Sequence, residues 1–141
     1  EATVNRETAA ALYDGVTAAQ LAWQPAPGRW GLAEVAAHLA RATTLYLPRL
    51  DEAIERAHAD AAYSDAPPRG SLLGRLLVWS MEPPPRFRMR APAAMRPPAE
   101  IAPLEARAAY RGAQEALRVR LERAAGLDLT HVTVRLPTLP W

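Results

Sequence analysis

The chain has 141 residues, half of them hydrophobic, with a formal net charge of +2 and no cysteine. That length supports one domain, residues 1–141, burying roughly two-thirds of the surface its unfolded chain exposes. The lack of any thiol excludes disulfide frameworks, Cys-bearing zinc sites, iron–sulfur centres and cysteine nucleophiles. A charge of +2, with 17 basic residues that are all Arg, implies no nucleic-acid partner. No apolar run approaches the roughly 18 residues of a membrane span, and no signal-peptide core opens the chain, which points to a cytoplasmic protein without a membrane partner. The Arg-only, Ala- and Pro-rich composition fits a GC-rich bacterial coding sequence.

Residues 5–14 are good helix formers. They predict a first helix with Ala9, Leu12 and Tyr13 on its buried side and Gly15 as its left-handed C-terminal residue. Thr17 and Gln20 have capping-box spacing and predict a short separate turn of helix. In "AWQPAPGRW", Pro25, Pro27 and Gly28 exclude a helix interior, so a rigid loop is expected, with Trp23 and Trp30 buried at its ends and pinning it to the core.

Gly31 serves as an N-cap and Glu34 falls at the third helical position. Leu32, Val35, His38, Leu39, Ala42, Tyr46, Leu50 and Ile54 then recur at three- and four-residue steps and predict the longest helix, roughly 32 to 58. Pro48 lies inside it and should remove one backbone hydrogen bond. After the loop "DAAYSDAPPRG", Ser71 can cap a short apolar helix through Leu72, Leu73, Leu76, Leu77 and Trp79, which "MEPPP" ends. Residues 85–98 favour an extended crossing loop. From about Glu100 a helix resumes, with Ala106, Tyr110, Ala113, Leu117, Leu121 and Ala124 on one face and Gly126 past its end. The tail from Leu129 reads as extended loop. Three substantial helices and a short one argue for an all-α bundle, and their broad apolar faces leave a groove for a fourth.

Among residues that carry chemistry, His38 stands out because the pattern sets it with Val35, Leu39 and Ala42, where a neutral imidazole needs a partner. Two readings are open. It is a core histidine hydrogen-bonded to a carbonyl or carboxylate, or it is a metal ligand facing the bundle interior. One His does not make a site, since a catalytic zinc-like centre takes three protein ligands and a water. His58 lies about 200° further round the same helix and is expected on the surface. His131 sits in the tail among Thr and Val and reads as an ordinary edge residue. Asp51, Glu52 and Glu55 beside Arg49 and Arg56, and Glu115, Arg118 and Glu122, read as intrahelical ion pairs on solvated faces. The row Arg86, Arg88 and Arg90 reads as a solvated loop edge or a site for a small anion. Phosphate-loop, dinucleotide, nucleophile-elbow and zincin motifs are absent.

Leu21 to Ala40, "LAWQPAPGRWGLAEVAAHLA", resembles the first signature of the DinB-like superfamily of bacterial helical bundles. Trp23, Pro25, Pro27, Gly28, Trp30, Glu34, His38 and Leu39 carry the likeness. "GSLLGRLLVWSMEPPP", the Pro-rich crossing and the Arg/Glu-rich helix ending in "GLDL" extend it over most of the chain. The resemblance implies an up-down-down-up four-helix bundle, commonly a homodimer. A divalent metal, zinc or nickel, would be held by one His of the second helix and two from an H-x-x-x-H on the last. Relatives include bacillithiol transferases and mycothiol-dependent maleylpyruvate isomerases, which use a low-molecular-weight thiol. Here only His38 carries over. Gly31 replaces the usual Ser or Thr cap, expected to be a mild change, and the last helix with its two ligands is expected to lie beyond Trp141. Two functions follow as expectations: a metal-dependent, thiol-using transferase or hydrolase of a small molecule, or a metal-free DinB-like scaffold that binds a ligand or partner. With the groove unfilled, the chain is expected to need a second copy or a further helix for stability.

Overall fold

The computed structural model describes residues 8, 11–65, 72–82, 90–130, 132 and 134. In chain order the elements are helical residues 11–14 (α1), α2 (Ala18–Ala22), α3 (Leu32–Ala59), α4 (Leu72–Met81), a 3₁₀ turn at Ala93–Met95 and α5 (Pro103–Arg123). No regular strand occurs among the described residues, so the fold is all-α as expected. Among the described residues an isolated antiparallel bridge joins Tyr63 to Leu127.

Local chemistry explains most boundaries. Thr17 caps α2 reciprocally: its hydroxyl accepts from the N–H of Gln20 at 3.3 Å while Gln20 Oε1 accepts from the N–H of Thr17 at 2.8 Å. Pro103 opens α5, where its missing N–H costs nothing. The long helix runs through Pro48 from Leu32 to Ala59, close to the expected span. It ends in a Schellman arrangement, the N–H of Ala62 on the carbonyl of Ala57 at 3.0 Å and that of Ala61 on His58 at 3.1 Å. That geometry puts Ala61 at φ 49°, a left-handed conformation that strains any residue with a Cβ. Gly126 takes the positive φ expected past α5, whereas Gly15 does not. Ser71, Ala9 and half of the expected first helix lie outside the described residues.

The core is an alanine seam. Ala33, Ala36, Ala37 and Ala40 of α3 pack with Ala106, Tyr110 and Ala113 of α5, and Tyr13 and Leu21 close the same cluster. A second cluster joins Ile54 and Ala57 to Ala124 and Leu127. Early residues of α3 thus meet early residues of α5, and late meet late, so the two long helices run parallel. Between parallel helices the connection must return to the starting end of the bundle, and of it residues 60–65, 72–82 and 90–102 are described. Small side chains let the two backbones approach closely. That is why the buried stripe differs from the one the larger residues predicted: Leu32 and Leu39 are exposed, and Val35, Ala42 and Tyr46 are half-buried.

Two further expectations are corrected. Trp23 is 65% exposed and Trp30 41%, so neither ring anchors the 23–31 loop in the core. The Glu34 carboxylate holds it instead, accepting from the Gly31 N–H and the Gln24 amide, and the loop packs so closely that a Cβ added at Gly31 would collide with the carbonyl oxygen of Trp23. The ion pairs of Asp51 and Glu55 reach across to α5. Asp51 bridges to α5, accepting from Arg120 at 2.6 Å and Arg123 at 3.1 Å, and Glu55 also pairs with Arg123. The pairs Arg49 with Glu52, and Arg118 with Glu115 and Glu122, are intrahelical as read from the sequence.

Candidate functional site

His38 sits on the second turn of α3, half-buried, on the flank that meets the 3₁₀ turn and not in the alanine seam. Its Nδ1 lies 2.8 Å from the carbonyl oxygen of Met95. A carbonyl only accepts, so Nδ1 carries the proton and Nε2 of the neutral ring keeps its lone pair. The Met95 carbonyl is itself held in place, because the Met95 side chain is buried and its N–H bonds Pro92 at 2.9 Å. One turn along α3, Arg41 Nε donates to the preceding carbonyl, Ala94, at 3.3 Å. The Trp30 ring lies against the imidazole with centroids 5.1 Å apart and planes tilted by 39°. Trp30 therefore walls the histidine where sequence reasoning had it plugging the core.

Glu34, one turn before His38, is occupied by the loop. Its carboxylate accepts from the N–H of Gly31 at 3.0 Å and from the Gln24 amide. Burial pushes its pKa up, but these hydrogen bonds and that of its own N–H outweigh the push, and the carboxyl titrates below its ordinary value. Tyr13 and Tyr110, their rings packed at 5.1 Å in the core cluster, both have raised pKa values, through burial and, for Tyr13, the neighbouring Tyr110.

Whether the residues suit a divalent metal is decided by the donor set. The Nδ1–H to carbonyl bond is the partner that a metal-ligating imidazole uses on its far nitrogen, so His38 fits one coordination position. Among the described residues no group of three His, Asp or Glu side chains stands close enough to complete a site. His58 is exposed, as expected, about 30 Å along the helix at 1.5 Å per residue. It is not idle: Nε2–H donates to the carbonyl of Arg123 at 3.2 Å, and Nδ1 accepts from the Tyr63 hydroxyl at 3.4 Å. It thereby closes the C-terminal end of α5. His131, Arg86 and Arg88 lie outside the described residues, and Arg90 is exposed. A cleft of about 280 Å³ opens at that same distal end, lined by Ala53, Arg56, Ala57, Asp60, Ala62, Asp128 and Val132. It shares no residue with the surroundings of His38.

Sequence reasoning found His38 but not its partners. The Met95 carbonyl and Arg41 carry no motif, because their part is set by where the return segment crosses α3. Among the described residues no helix is long and apolar enough to cross a membrane.

An all-α fold with two parallel long helices and a histidine on the first of them walled by Trp30 makes this a helical-bundle protein. A family model described as the DinB superfamily matches residues 1–139, and the chain belongs to that superfamily. Comparison with curated proteins and with solved structures gives no match.

Proposed function

We propose that the protein is a metal-dependent, thiol-using transferase or hydrolase acting on a small molecule, with His38 as one ligand of a divalent ion, zinc or nickel. The observation that carries this reading is the 2.8 Å bond from His38 Nδ1 to the Met95 carbonyl, which leaves Nε2 as the ring's electron-pair donor. The other ligands would come from outside the described residues or from the second chain of a homodimer. A bound divalent ion supplies a water or thiol of lowered pKa, the nucleophile such chemistry needs near neutral pH. This chain's part is to hold one imidazole in a fixed tautomer and to wall it with Trp30.

The test is the metal content of the full-length protein after expression in medium supplemented with zinc or nickel, read beside helix content by circular dichroism. Stoichiometric metal in the wild type and its loss in His38→Ala, with helix content unchanged, supports the reading. Metal content that His38→Ala leaves untouched refutes the ligand assignment. A wild type that holds no metal at all refutes the enzyme reading and favours a DinB-like scaffold.

A further inference from the structure

We propose that Arg41 is a positioning residue for His38: by holding the carbonyl of Ala94 it fixes the 3₁₀ turn whose next carbonyl, that of Met95, keeps the proton of the imidazole on Nδ1. The importance of this tautomer for a ligand rests on the function proposed above, but the arrangement itself does not. His38 and Arg41 stand three residues apart on α3 and donate to two consecutive carbonyls, at 2.8 Å and 3.3 Å. The two bonds therefore act on one rigid object.

That object is closed on itself. Met95 N–H bonds Pro92 at 2.9 Å, Arg96 N–H bonds Ala93 at 3.2 Å, and the Arg96 side chain returns to the carbonyl of Ala91 at 2.9 Å. A turn so braced moves as a unit, so a bond to one of its carbonyls restrains the next. The buried Met95 side chain is its anchor on the core side. Arg41 is its anchor on the solvent side, through the bond to the Ala94 carbonyl.

The tautomer matters because a free neutral imidazole in water prefers the proton on Nε2, which would block the nitrogen that faces away from the turn. One net hydrogen bond shifts a two-state equilibrium by about five-fold, enough to invert so small a preference. If the turn drifts by an ångström, that bond is lost and the preference reverts.

The experiment is nuclear magnetic resonance of the ¹⁵N-labelled protein at alkaline pH, where imidazoles are neutral, since the two ring nitrogens of His38 report the tautomer directly. The wild type is expected to be mainly Nδ1–H. Arg41→Ala, a helix-favouring change at an exposed position, is expected to shift the ratio toward Nε2–H by about two- to five-fold with helix content unchanged, and Arg41→Lys, which keeps a cationic donor, to restore most of it. A wild-type ring that is mainly Nε2–H, or an Arg41→Ala ratio equal to that of the wild type, overturns the proposal. Titration with zinc alone separates the two readings. Weaker binding in Arg41→Ala, by about ten-fold, supports both, since outer partners of a ligating histidine carry effects of that size. A tautomer shift in a protein that binds no zinc leaves the role of Arg41 standing and removes the metal.

Discussion

Gly31→Ser is the substitution on which sequence and structure disagree most sharply. Read as a helix cap, Ser at this position should match or slightly improve on Gly, by a few tenths of a kcal/mol. The structure places the added Cβ in collision with the Trp23 carbonyl oxygen and 3.1 Å from its carbon. Real Cβ atoms do not approach backbone oxygen so closely, and the obstacle is main chain that cannot rotate away. Gly31 has φ −90°, a conformation open to any residue, so the whole penalty is steric. To admit a Cβ the loop must move outward, straining the Gln24 and Gly31 bonds to Glu34 that seat it on α3. Forced overpacking costs about 1–3 kcal/mol, which exceeds the capping gain several-fold, so a net loss of about 1–2 kcal/mol is expected. Urea denaturation followed by circular dichroism measures it directly, and Gly31→Ala, which adds the clash without a cap, should lose at least as much. A Gly31→Ser variant as stable as the wild type would refute the close-approach argument and return Gly31 to the role of an ordinary cap.

Asp51→Asn should cost about 1–2 kcal/mol in the same assay, since it discharges a half-buried carboxylate shared by Arg120 and Arg123, while Glu52→Gln, which pairs with the exposed Arg49 one turn away, should change stability by less than about 0.5 kcal/mol. Because the Glu34 pKa is lowered in the folded state, its contribution is complete above the ordinary value of 4.5 and is lost as the pH falls through the folded value; a stability profile between pH 6 and 3 should flatten in Glu34→Gln. Ala61→Gly should raise stability by about 0.5–1 kcal/mol, relieving a left-handed residue at the end of α3, and a loss in thermal melting would contradict that reading. The raised pKa values of Tyr13 and Tyr110 give a contribution present below pH 10 and lost as the pH rises through their folded values; Tyr110→Phe should make that alkaline loss smaller.

What the sequence determined by itself is what neighbouring residues decide among themselves. The span of the long helix follows from apolar residues recurring at three and four positions. The reciprocal cap of Thr17 and Gln20, the turn at Gly126 and the Arg118 pairs with Glu115 and Glu122 involve partners no more than four residues apart. His38 was legible as well, because an imidazole amid apolar positions stands out in any helical projection. Tertiary structure alone decided which stripe of α3 became the seam. Periodicity weights the large residues Leu32, Leu39 and Tyr46, whereas close approach to a parallel helix selects the smallest, Ala33, Ala36, Ala37 and Ala40. The same pairing took Asp51 and Glu55 from the intrahelical partners that spacing suggested and gave them to Arg120 and Arg123, sixty-odd positions away or more. It also turned Trp30 out of the core and against His38, and set the Met95 carbonyl on the imidazole from 57 residues along the chain. Contacts of that separation depend on where the return segment crosses α3, and no local pattern encodes that crossing.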